Sequence, residues 1–182
     1  MKKLYLVVDM QNDFLTGILG CKECEKTIDV VNDILANKIT KDDTIILTKD
    51  THDETYPTTL EGKSIPPHCI KGTQGHNYPS SLEKIVEDLK KKNEVIEIEK
   101  PTFGSSTLLS YLMEEDNSFD EIYIMGVCTS ICVHANAVIC RTALPNSKIT
   151  LIKNACGDFS KEASDATYIS LKALQIDSIE SL

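Results

Sequence analysis

The chain has 182 residues, 41% hydrophobic and 26% charged, a balance ordinary for one soluble globular domain with a single core. Its formal net charge of −9 argues against a nucleic-acid partner, because phosphate binding needs a basic surface. No apolar run approaches the roughly 20 residues of a membrane span, and the chain enters a strand at once with no export signal, so a cytoplasmic protein with no membrane partner is expected.

In chain order, the first expected strand covers residues 4–9, a run of β-prone apolar residues that ends in an acid. In an open parallel sheet, ligands collect beyond the carboxyl ends of the strands, so Asp9 is a candidate general base. A carboxylate there also commonly caps the following loop, which is the expectation for Asp13. Seven cysteines, odd in number and without framework spacing, suggest reduced thiols. Cys21 and Cys24 form a C-x-x-C with no second pair and no strand directly before it, and the pair is read as incidental.

A helix is expected over 25–37 and a strand over 44–49. Asp50 and His52 follow, and their period-two spacing places them on one face. The stretch 51–78 has turn residues and little periodicity, and loops of that length are usually functional. It carries Glu61 and His68. Two imidazoles with one or two carboxylates suit zinc, and also iron or manganese. Cys69 adjoins His68, and sequence neighbours seldom ligate one ion, so Cys69 is set aside. His76 and His134 are read as structural or exposed.

A helix is expected over 79–92, with basic residues at its end favoured by the dipole. The strand 94–98 leads to Lys100, again at a carboxyl end, where a cation can pair with Asp9 and stabilise developing negative charge; a solvated lysine is the plainer alternative. Pro101, Gly104 and Ser105 or Ser106 make a tight, capped entry to a helix over 105–115. The strand 121–126 runs into Gly126-Val-Cys-Thr-Ser-Ile-Cys132-Val, and a helix over 130–143 follows. Cys132 is thus expected near a helix start, where unpaired amides and the dipole lower a thiol's pKa and can receive an oxyanion. A free cysteine alone is more often a small buried hydrophobe. A strand over 148–153, a helix over 160–173 and a short strand over 176–179 complete the chain. The alternation implies a three-layer α/β/α domain over 1–182 with a mainly parallel six-stranded sheet.

Taken together, the segments around Asp9, Lys100 and Cys132 resemble the nicotinamidase/isochorismatase-like cysteine hydrolases, a Rossmann-like family. In that family an Asp in V-D-x-Q-x-D-F, a Lys after a middle strand and a Cys in G-x-x-T-x-x-C-V form the triad, and all three segments occur here in order. The D-x-H at Asp50 and His52 and the P-P-H-C-x-x-G-T at His68 look like the metal site of the nicotinamidase branch, while most other branches lack a metal. The resemblance implies Asp50, His52 and His68 as ligands of one divalent ion, zinc first, with iron or manganese open. Many relatives carry a third His in the loop; none lies between His52 and His68, and Glu61 is the candidate for that place, direct or through water.

The resemblance further implies hydrolysis of nicotinamide, or of pyrazinamide-like analogues, through a Cys132 thioester, in the salvage of nicotinamide toward NAD. The amides of Cys128 and Cys132 would receive the oxyanion, the former across a cis Val127–Cys128 bond. Phe14, Leu19, Ile65 and Phe103 would form the apolar walls, with Ile65 where relatives often place an aromatic. A homo-oligomer stays open. So do two other readings: a metal-free amide or carbamoyl hydrolase of the same fold, and a non-catalytic small-molecule-binding domain. The absence of a Gly-rich nucleotide motif after any expected strand weakens the last.

Overall fold

The computed structural model describes residues 1–182. Six strands form one sheet: β1 (Lys3–Val8), β2 (Thr44–Asp50), β3 (Glu94–Lys100), β4 (Glu121–Val127), β5 (Lys148–Gly157) and β6 (Ile176–Ile179). Their order is β3-β2-β1-β4-β5-β6, and every pairing is parallel. The helices are α1 (Asn12–Leu15), α2 (Lys22–Asn37), α3 (Ser80–Leu89), α4 (Ser106–Leu112), α5 (His134–Ala143) and α6 (Lys161–Ala173). No helix is long and apolar enough to cross a membrane.

The layers follow from strand alternation. Tyr5 and Val7 of β1 point to one face, where they meet Val31, Ile34 and Leu35 of α2 and Leu82, Val86 and Leu89 of α3. Leu4, Leu6 and Val8 point to the other, against Leu108 and Leu112 of α4, Ala137 and Cys140 of α5 and Leu171 of α6. Both faces of β1 are therefore covered, and its sequence reads as a continuous apolar run rather than as an alternating one.

The chain builds outward from β1 through β2 to β3, then returns to place β4 on the other side of β1. The strand order reverses between β1 and β4, and the crevice beyond the strand ends at such a point is where open α/β sheets bind ligands. Gly126 sits at this place with φ +128°, and any side chain on it would collide with the backbone of Val8. Only glycine lets the end of β4 lie this close to β1.

Element boundaries differ from the sequence expectation in several places: α1 was not expected, α4 ends at Leu112 rather than 115, β5 runs to Gly157 rather than 153, and three further differences lie at helix ends. Helix α2 begins at Lys22 rather than at 25, because the Cys21 sulfur serves as its cap and accepts from Cys24 N–H at 3.1 Å. Helix α3 ends at Leu89, before the lysine run. The segment expected to open α5 is a wider π turn, Thr129–Val133, with Val133 N–H donating to the Cys128 carbonyl at 3.1 Å. Such single-turn π segments often occur at functional sites.

Candidate active site and metal centre

Strand register sets the first group of side chains. Val8 pairs with Thr48 of β2 and with Gly126 of β4, and Asp50 pairs with Lys100 across β2 and β3. Asp9, Asp50, Lys100 and the Cys128–Cys132 loop therefore leave the sheet at one edge. The Lys100 ammonium lies 2.6 Å from Asp9 Oδ2, 3.4 Å from Asp50 Oδ1 and 3.8 Å from the Cys132 sulfur, and it donates to the Thr102 carbonyl at 3.0 Å. The Thr48 hydroxyl donates to Asp9 Oδ1 at 2.6 Å. Asp9 adopts φ +50°, a left-handed conformation uncommon outside glycine. Asp9, Lys100 and Cys132 are 0%, 2% and 6% exposed, so solvent does little to screen them.

Burial decides the electrostatics. It pushes the Asp9 carboxyl above its ordinary value, and the pull of Lys100 offsets only part of that. Burial alone would lower Lys100, but Asp9, Cys132 and Asp50 overcome it and hold the ammonium charged. The Cys132 thiol is pushed well above its ordinary value by burial first and by Asp9 next, with Lys100 opposing. The expectation of a depressed thiol pKa at a helix start is therefore corrected. Helix-end amides favour a thiolate, but a sulfur this deep in an apolar setting and beside a carboxylate keeps its proton. Cys128 N–H makes no hydrogen bond within the chain, and the Val127–Cys128 peptide is cis, as the resemblance implied.

A second group stands beside the first. The chain returns after β2 so that His52 pairs with Ile70 in a parallel bridge, with His52 N–H donating to the Cys69 carbonyl at 3.1 Å. This brings His68 to His52. The Nε2 atoms of His52 and His68 lie 2.9 and 3.0 Å from Asp50 Oδ2, and 3.8 and 4.0 Å from Glu61 Oε1. The four donor atoms all fall within 4.8 Å of one another.

Ligands about 2.1 Å from a tetrahedral zinc ion are separated by roughly 3.4 Å, and these distances bracket that spacing. The His68 Nδ1–H donates to the Pro66 carbonyl at 2.9 Å, which leaves Nε2 as the free lone pair facing the carboxylates. The Tyr56 hydroxyl donates to Glu61 Oε1 at 3.3 Å, and its ring lies 4.2 Å from that of His52. The donor set fits one divalent ion, and Asp50 joins it to Lys100. Cys69 is buried with its thiol held protonated, chiefly by that burial, and stays outside the set.

One cavity of about 310 Å³ opens onto both groups. Asp50, Glu61, His68, Cys128 and Cys132 line it, together with the apolar side chains of Phe14, Leu19, Ile65 and Phe103. Ile131 and Phe159, not foreseen, complete the rim. Three polar residues also escaped sequence reasoning. Gln11 brackets Asp50, accepting from its N–H at 2.7 Å and donating to its carbonyl at 2.8 Å. Asn136 donates to the carbonyls of Cys132 and Phe103 at 2.8 and 3.0 Å and accepts from Ser105 N–H at 3.1 Å. Thr48 is the third. Asn136 carried a signal, since it stands four residues after Cys132 and so on the same helix face. His76 is buried against the Thr51 hydroxyl at 2.9 Å and is structural, as read.

The isochorismatase-domain family model matches residues 3–180, and the chain belongs to that family. A Bacillus subtilis (strain 168) protein described as an uncharacterized isochorismatase family protein, PncA, is 32% identical over 168 residues, covering 89% of this chain and 90% of that one. The nicotinamidase of Saccharomyces cerevisiae is 27% identical over 178 residues, covering 75% of this chain and 80% of that one. The crystal structure of the nicotinamidase/pyrazinamidase PncA from Bacillus subtilis is similar with a TM-score of 0.87 at 26% identity, covering 99% of this chain and 100% of that chain.

Proposed function

We propose, from membership of the isochorismatase family, that this chain is an amidohydrolase of the nicotinamidase type, converting nicotinamide to nicotinate and ammonia. The observation that carries the reading is the cavity shared by Cys132, whose sulfur has the buried Lys100–Asp9 pair behind it, and by Asp50, Glu61 and His68 of the four-donor metal set.

Asp9 and Cys132 carry out the proton transfers. The Cys132 proton passes to Asp9, whose raised pKa suits a group that must take and return a proton near neutrality. The sulfur attacks the amide carbonyl carbon, and the oxyanion is received by the N–H groups of Cys128 and Cys132. Asp9 gives its proton to the amide nitrogen as the C–N bond breaks, and ammonia leaves. Water then gives a proton to Asp9 and attacks the thioester; the C–S bond breaks, nicotinate forms and Cys132 is reprotonated from Asp9. Lys100 stays charged at 2.6 Å from Asp9 and orients it throughout. Asp50, His52, Glu61 and His68 would hold a divalent ion, zinc by donor type with iron or manganese able to replace it, and when bound it would supply Lewis acidity toward the pyridine nitrogen. Phe14, Phe103 and Ile65 exclude water from the ring.

This assignment puts the protein in nicotinamide salvage toward NAD and in the cytoplasm, where reducing conditions preserve the Cys132 thiol. The test is ammonia release from nicotinamide by the purified protein, beside Cys132→Ala and a chelator-treated sample. Release that both treatments abolish supports the reading. No release from metal-loaded protein overturns it.

A further inference from the structure

The C-x-x-C read as incidental acquires a setting in the fold. Cys21 caps α2, its sulfur lies 2.6 Å from that of Cys24, and both thiols are free. Gly157 at the end of β5 packs so closely on the Cys24 backbone that a Cβ there would sit 2.7 Å from Cys24 Cα. This approach sets the pair beside the loop that carries Cys132. Cys24 and Cys128 pack in one buried cluster, where the Cys128 thiol acts as donor toward Cys24, and the Cys21 sulfur donates to the Asp158 carbonyl at 3.4 Å. Asp158 Oδ2 in turn accepts from Ser130 N–H at 2.6 Å, and the Thr129 hydroxyl donates to the Gly157 carbonyl at 3.1 Å. The two thiols thus buttress the Cys128–Cys132 turn.

The two thiols differ in exposure and in acidity. Cys21 is partly exposed, while Cys24 is fully buried next to it. The Cys128 hydrogen bond outweighs burial and holds the Cys24 thiol below its ordinary value, whereas burial raises Cys21 to about 11. Exposure lets the reagent reach Cys21, and Cys24, with its sulfur 2.6 Å away, is placed to resolve the mixed disulfide.

We propose that Cys21 and Cys24 form a reversible dithiol–disulfide site that reacts with low-molecular-weight disulfides and is coupled to the Cys132 loop through Cys128 and Asp158. In the first step the Cys21 sulfur attacks one sulfur of the small disulfide. A mixed disulfide forms, the small S–S bond breaks, and the first small thiol leaves with the Cys21 proton. The Cys24 sulfur then attacks Cys21, and the second small thiol leaves with the Cys24 proton. The protein loses two electrons and two protons, and the small disulfide gains both. Formation of the bond removes the Cys21 proton from the Asp158 carbonyl and leaves the Cys24 sulfur a weaker acceptor for the Cys128 thiol, so the turn loses support and the buried Cys132 sulfur becomes more accessible.

The experiment treats reduced protein with glutathione disulfide, then maps disulfides by peptide mass and follows the alkylation rate of Cys132 with iodoacetamide. Neither readout depends on the substrate assigned above. The expected result is a Cys21–Cys24 linkage reversed by dithiothreitol, with Cys132 alkylated at least threefold faster than in reduced protein. Cys21→Ser keeps a helix cap and should melt like the native chain while losing both effects. Absence of that linkage, or a first disulfide or adduct at Cys128 or Cys132, overturns the site. Linkage with an unchanged Cys132 rate overturns the coupling.

Discussion

Replacing Asp9 with Asn should make Cys132 more reactive toward a simple alkylating agent and less able to turn over an amide. In the native protein two opposite charges act on the sulfur. Lys100 stands 3.8 Å away, which at an effective permittivity near 20 favours the thiolate by about 4 kcal/mol. The Asp9 carboxylate, 2.6 Å from the same lysine, opposes it through its charge. Asparagine has the same shape without the charge. Even a third of the lysine's attraction, once uncompensated, multiplies the thiolate fraction roughly tenfold. Amide hydrolysis also needs a group that takes the thiol proton and returns it to the leaving nitrogen, and asparagine cannot. Loss of a general acid–base typically costs about 10²- to 10⁴-fold.

The two rates should therefore move in opposite directions. Iodoacetamide labelling of the Cys132 peptide at pH 7, read by mass, should be at least tenfold faster in Asp9→Asn, while ammonia release falls at least a hundredfold. Native labelling should stay slow at pH 7 and climb only as pH passes the ordinary thiol value of 9.0. Asp50 remains 3.4 Å from Lys100, so the lysine keeps a buried partner and the variant should still fold, which a thermal melt checks. Labelling that slows or stays constant would refute the charge argument. Turnover within tenfold of native would remove Asp9 as the proton carrier.

Thr48→Val removes a hydrogen bond that favours ionised Asp9 and so raises the Asp9 pKa further. Because the reaction needs Asp9 ionised at the outset, the acid limb of kcat/KM should move to higher pH, and a limb that stays in place would count against that step. Adding zinc to chelated protein at about a hundred times its Kd should stabilise it by roughly 2.7 kcal/mol, a melting shift of roughly 5–10 °C for a domain of this size. The same titration on Glu61→Gln should show at least tenfold weaker zinc binding by competition with a chromogenic chelator, in the range of roughly 10- to 100-fold typical when support for a metal site is lost; equal affinity would place Glu61 outside the metal's contacts. Asn136→Ala leaves the Cys132 and Phe103 carbonyls and Ser105 N–H without their partner, and at about 1–3 kcal/mol for a buried orphaned group it should lower the melting temperature by several degrees and kcat more than it raises KM.

Chain order and strand chemistry made much of the site readable in advance. Asp9, Asp50 and Lys100 each stand at or one residue beyond the end of a strand, and parallel strands deliver their ends to one edge. His68 was legible only through its resemblance to a known metal segment, since the bridge that carries it back to His52 joins residues 18 apart across an irregular loop. The sequence marks such a loop but says nothing of its path. The pocket rim was half legible. Phe103 follows a strand and was expected, whereas Phe159 enters the cavity only because β5 extends to Gly157, beyond the 153 at which its apolar run stops.

The character of Cys132 is the most instructive difference. Its neighbours in sequence predict an acidic thiol at a helix start; its neighbours in space make it a protonated one. Local geometry contributes partial charges from amides, and these act within one turn. Burial contributes the cost of removing a full charge from water, which is larger, and it depends on how Cys132 packs into the cluster holding Val133 and Ala137. A free thiolate in that place would be costly, and it would also stand beside the ionised Asp9. The arrangement avoids both by forming the thiolate only as Asp9 becomes neutral, with the Lys100 charge unchanged between them. In this reading the buried lysine does not ionise the sulfur at rest. It keeps the energy of the site nearly level as the negative charge moves from oxygen to sulfur and back.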